Sequence, residues 1–71
     1  MYNMKELDLH GLKHYDVKDT VENFILMSDT PFRIITGRSD RMRELVETTL
    51  KKHRFQFYTP AHNPGEIIVI D

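Results

Sequence analysis

Seventy-one residues are enough for one domain, 1–71, with a single modest core and two layers of secondary structure. The chain has no cysteine, which excludes disulfides and thiolate metal sites, and its apolar runs are too short to span a bilayer. A small cytoplasmic domain without a membrane partner is expected, as a monomer or, to bury more surface, a homodimer. The net charge of −1 hides an uneven distribution. Residues 1–32 carry three Lys/Arg against six acids, whereas residues 33–54 carry seven against three. A basic middle segment can meet phosphate or can serve as a solvated helix face.

The first predicted element spans residues 5–10, where apolar and polar side chains alternate with the period of a half-buried strand. Leu7 and Leu9 share the core face, and Asp8 and His10 share the other, next to a chain reversal at Gly11. A helix follows, with Asp16 as its N-cap and Asp19 in the first turn, where the helix dipole favours negative charge. Val17, Thr20, Val21, Phe24 and Ser28 form its apolar or small stripe. Thr30 before Pro31 is biased away from helix, and 32–36 (FRIIT) reads as a buried strand.

A glycine turn, 37–40 (GRSD), offers Ser39 or Asp40 as the cap of a second helix. Met42, Leu45, Val46, Thr49, Leu50 and His53 recur at spacings of three and four along it, with Glu47 and Lys51 as an ion pair on the wet side. Residues 55–58 alternate again, with Phe55 and Phe57 on one face and Tyr58 on the other. Two prolines and a glycine mark 59–65 (TPAHNPG) as a turn region, and 66–70 (EIIVI) reads as a buried strand paired with 55–58 as a hairpin. The order is β-α-β-α-β-β, and the fold class expected is α/β: a two-layer sandwich of a four-stranded mixed sheet with both helices on one face.

Two motifs carry the chemistry. In parallel α/β sheets, ligands gather outside the carboxyl ends of the strands. If the first two strands are neighbours, Asp8-Leu9-His10-Gly11 and Thr36-Gly37-Arg38-Ser39 open onto one edge. The second motif is also a helix N-terminus, where free N–H groups and the dipole attract anions. Gly37 lets a phosphate approach the backbone, Arg38, Arg41 and Arg43 neutralise its charge, and Lys13 adds a further cation. Asp40 competes for the same N–H groups. Histidine, with its ordinary titration near working pH, suits His10 to proton transfer. Asp8 either orients the imidazole or recruits a hydrated divalent cation such as magnesium. No third ligand accompanies Asp8 and His10, so no metal site is assigned. A bland reading stands beside each motif: a solvent-exposed Asp-x-His pair, and a glycine turn that only connects strand to helix.

LDLHG, then RIITGRS, then MRELVETTLKKH, resembles the small MutS-related (Smr) domain family from about Leu7 to Asp71. That family pairs an L-D-x-H motif with a later H-G-x-G or T-G-x-G motif and a following helix with an L-R-x-x-V-like pattern; Met42, Arg43 and Val46 stand in those places here. Ser39 stands where the last glycine of the second motif falls, Thr36 where many members have histidine, and the 39–42 segment looks about one residue short. The resemblance implies the fold of the C-terminal domain of bacterial translation initiation factor 3. It also implies nucleic-acid cleavage, with Asp8, His10, Thr36, Gly37 and Arg38 as catalytic candidates; beside these, Gly37, Arg38, Ser39, Arg41, Arg43 and Lys13 are the expected nucleic-acid-binding residues. The expected function is thus an endonuclease acting on RNA or DNA, with a tilt toward RNA, whose 2′-hydroxyl is a nucleophile that needs only deprotonation. The alternative is a binding module of the same fold without catalysis.

Overall fold

The short alternating and apolar runs become strands, and the two periodic segments become helices. A computed structural model describes residues 4–71. Strands Lys5–Asp8 (β1), Phe32–Ile35 (β2), Phe57–Tyr58 (β3) and Glu66–Val69 (β4) form one sheet in the order β1-β2-β4-β3. β1 runs parallel to β2, and β4 runs antiparallel to both β2 and β3. Helices His14–Met27 (α1) and Asp40–Lys52 (α2) complete the expected two-layer α/β sandwich. No helix among the described residues is long and apolar enough to cross a membrane.

One core joins the layers. Val17, Val21 and Ile25 of α1 and Met42, Val46 and Leu50 of α2 pack with Leu9, Phe32, Ile34, Ile67 and Val69. The strand residues of this set are alternate positions, so they share a face, and both helices cover it. Phe32 meets Phe24 and Phe55 edge-on, with ring centroids 5.2 and 6.0 Å apart. On the opposite face Arg33 lies between Glu6, at 3.5 Å, and Glu66, at 3.8 Å.

Several boundaries differ from the sequence reading. β1 stops at Asp8 rather than residue 10, although Leu9 keeps the inward alternation, is buried, and donates its N–H to the Ile35 carbonyl at 2.9 Å. β2, β3 and β4 are likewise trimmed to 32–35, 57–58 and 66–69. α1 begins two residues before Asp16: Lys13 is its N-cap, without a side-chain cap, and Asp16 lies in the first turn. The buried stripe of α1 is Val17, Val21 and Ile25, with Phe24 partly buried and Ser28 past the helix end. Glu47 and Lys51 do not pair; Lys52 instead reaches Glu22 on α1 at 3.5 Å.

Candidate active site

Because β1 and β2 are parallel neighbours, the Asp8–Gly11 and Thr36–Ser39 turns leave the sheet at the same edge. The expected residues of the two motifs therefore leave the sheet together, and the local bonds decide what each can do.

Asp8 is exposed, and its Oδ1 accepts the backbone N–H of His10 at 2.9 Å. This is an aspartate turn, in which a carboxylate closes the chain reversal two residues on. It explains the Asp-x-His spacing physically: Asp8 holds the loop that carries His10. His10 is itself exposed, and Gly11 completes the turn at φ 82°, in the left-handed region that glycine enters freely. Lys13 follows on the same loop, with Nζ 5.8 Å from the Tyr15 ring centroid.

The second turn is stitched to the loop between β3 and β4. The Gly65 carbonyl accepts the N–H groups of Thr36, at 2.8 Å, and Gly37, at 3.0 Å. The Thr36 hydroxyl lies 3.1 Å from the Gly37 carbonyl and 3.2 Å from that of Gly65, donating its one proton between them. Thr36 is 3% exposed. Two expectations are corrected accordingly. Thr36 holds a loop instead of facing the solvent edge, and the Gly37 amide already has a partner and cannot cradle a phosphate. Gly37 is needed for its φ of 68°.

The anion-facing amides start one residue later. Among the described residues, the N–H groups of Arg38, Ser39, Asp40 and Arg41 have no protein acceptor, as the first turn of a helix dictates. Ser39 is the N-cap, and its Oγ accepts the Met42 N–H at 3.1 Å. Serine at the place of the resemblance's final glycine thus has a capping role of its own. Its φ of −81° shows that this position does not require glycine.

The cations differ in availability. Arg38 is exposed and enters no ion pair among the described residues. Arg41 is paired with Glu44. Arg43 donates from Nη1 to the Thr59 hydroxyl at 2.7 Å, a second stitch to the 59–65 loop. No group of three His, Asp or Glu side chains able to hold a metal ion occurs among the described residues. No pocket occurs among the described residues.

Sequence reasoning passed over two sets of residues. Gly65 and Thr59 tie the third loop to the site through a carbonyl and a hydroxyl, groups that no spacing rule singles out. Away from the site, His53 Nε2 lies 2.9 Å from Glu22 Oε2 and bridges α2 to α1. The hydrogen bond from His53, reinforced by Lys52 and Lys18, holds the Glu22 carboxyl below its ordinary range against the opposing effect of desolvation.

Compared with known protein families, with curated proteins and with solved structures, the chain matches none.

Proposed function

We propose that this domain cleaves RNA, with DNA as the second substrate to test, and that its order of motifs reflects membership of the Smr family. The observation that supports the reading is the parallel pairing of β1 with β2, which brings the turn that carries His10 and the turn that leads into α2 out at the same edge of the sheet. A backbone phosphate rests on the free amides of residues 38–41, and Arg38 supplies an unpaired cation. His10 takes the proton of the adjacent 2′-hydroxyl, whose oxygen then attacks phosphorus. Asp8 acts through the turn it closes, by fixing where His10 sits. A magnesium ion, if used, would be held through water by the remaining Asp8 oxygen and would supply charge neutralisation at the phosphate.

One observation favours the non-catalytic reading. The carboxylate of Asp8 and the hydroxyl of Thr36 both serve the fold, which leaves His10 alone among the expected proton-transfer groups of the two motifs. The deciding experiment incubates purified protein with labelled RNA and DNA, with and without magnesium, beside His10→Ala. Cleavage that His10→Ala abolishes, with binding kept, supports the enzyme. Binding without cleavage by the parent protein supports the module, and neither binding nor cleavage defeats both.

A further inference from the structure

A third loop opens at the same edge. β4 runs antiparallel to β2 with Ile35 opposite Glu66, so residues 59–65, which enter β4, sit beside the carboxyl end of β2. The sheet order puts β1 and β4 on either side of β2. Two strand spacings, about 10 Å, thus separate the backbones that lead to the first and third loops, with the Thr36–Ser39 turn between them.

This third loop is held firmly. Gly65 anchors it to Thr36 and Gly37, and Thr59 anchors its other end to Arg43. Within it, Asn63 donates its backbone N–H to the Pro60 carbonyl at 3.1 Å, accepts the Gly65 N–H at 3.1 Å, and donates from Nδ2 to Glu66 at 2.9 Å. Inside that brace stands one exposed titratable side chain, His62. A phosphodiester lying on the central turn is therefore flanked by an imidazole-bearing loop on each side, His10 from one and His62 from the other.

We propose that His62 is the general acid of the cleavage reaction, the partner that His10 lacks within the two motifs. This inference rests on the RNA-cleaving reading above. His10 accepts the proton of the 2′-hydroxyl, and the 2′-oxygen forms a bond to phosphorus. The bond from phosphorus to the 5′-oxygen breaks, and that oxygen leaves with the proton of the His62 imidazolium. The products are a 2′,3′-cyclic phosphate and a free 5′-hydroxyl end, with one proton moved from His62 to the leaving group and one gained by His10. No oxidant, metal or further reactant is required. Acid–base catalysis of transesterification needs one group that takes a proton and a second that gives one, and these are the roles assigned to His10 and His62.

The test compares parent, His10→Ala, His62→Ala and His62→Gln on ordinary RNA and on RNA whose scissile 5′-oxygen is replaced by sulfur. A thiolate leaves without protonation, so a general acid gives it little. His62→Ala and His62→Gln are expected to cut ordinary RNA about 100-fold or more slowly, yet to cut the 5′-thio substrate within about threefold of the parent. His10→Ala is expected to lose both. If the His62 variants cut ordinary RNA at the parent rate, or lose both substrates equally, the acid role of His62 is overturned while His10 keeps its own. A parent protein that cuts no RNA, or a His10→Ala variant as active as the parent, defeats the underlying reading instead.

Discussion

The Asp8 carboxylate accepts the backbone N–H of His10 at 2.9 Å, so the two members of the Asp-x-His motif are linked through the main chain. An amide oxygen can accept the same bond; a methyl group cannot. Asp8→Asn is therefore expected to keep the fold and most of the cleavage activity. Asp8→Ala is expected to lose about 0.5–1 kcal/mol of stability, the value of one exposed hydrogen bond, and to cut poorly because His10 is no longer held. Parallel urea titrations and cleavage assays on the two variants check this. An Asp8→Asn protein as inactive as Asp8→Ala would show that the negative charge itself is required.

Thr36 gives the complementary case. Its hydroxyl is buried and shared between the Gly37 and Gly65 carbonyls, but Gly65 also accepts two N–H groups. Thr36→Val keeps the shape and leaves no carbonyl of Gly65 unsatisfied. The expected loss is about 1 kcal/mol in chemical denaturation, with cleavage by the folded protein unchanged. A large loss of turnover at full stability would restore Thr36 to the chemistry.

How much of this was legible in the chain follows from which forces set each feature. Alternation located β1 and β3, because a core-facing side chain in every second position is a direct record of burial, and short apolar runs located β2 and β4; Leu9 and Thr36 stay buried even past the strand ends. The i, i+3 and i, i+4 recurrence located α2 for the same reason, and of the two caps the sequence offered, Ser39 and Asp40, Ser39 is the one used. What escaped were long-range backbone contacts. Nothing in TPAHNPG reveals that the Gly65 carbonyl takes two amides from a turn 28 and 29 residues earlier, and with them the place of His62. The early start of α1 at His14 escaped because Lys13 caps it with no side-chain bond to betray the position.

The end of α2 was hidden for a similar reason. Arg54 adopts φ 64°; its N–H bonds the Lys51 carbonyl at 3.0 Å, and that of Phe55 bonds Leu50 at 3.0 Å. This is the paired closure normally built with glycine, with Phe55 and Leu50 both drawn to the core. An arginine here is strained where glycine is not. Arg54→Gly is expected to raise stability by up to about 1 kcal/mol, since relief of a left-handed side chain, about 1–2 kcal/mol, outweighs the added freedom of the unfolded chain, about 0.5–1 kcal/mol. A thermal melt that falls instead would mean the Arg54 side chain makes a contribution larger than its backbone strain.

Glu22 sets the acid limit of the helix–helix contact. Its carboxyl sits below the ordinary 4.5, chiefly through the hydrogen bond from His53, with Lys52 and Lys18 adding to it. A carboxylate whose folded-state pKa is depressed stabilises the fold above its unfolded-state value and loses that contribution as pH falls through the folded one. Stability is thus expected to decline below about pH 4.5 in the parent, and to decline less in Glu22→Gln. Urea midpoints at pH 7, 4 and 3 read the difference; identical slopes for the two proteins would remove Glu22 from the account.

The three arginines at the site edge should be unequal in binding, because their partners differ. Arg38 enters no ion pair among the described residues, whereas Arg41 is already neutralised by Glu44, and Arg43 is engaged with Thr59. A cation free to meet phosphate releases about 0.7 counterion from a single strand, and one held by a carboxylate releases less. Arg38→Ala is expected to weaken binding to single-stranded RNA at low salt and to flatten the log-log salt slope by about 0.7. Arg41→Ala should change both by less, and Glu44→Gln should strengthen binding by freeing Arg41. Fluorescence anisotropy across a salt series measures all three. Equal slopes for the parent and Arg38→Ala would move the phosphate away from the start of α2, and with it the place where His10 and the backbone amides were expected to meet the substrate.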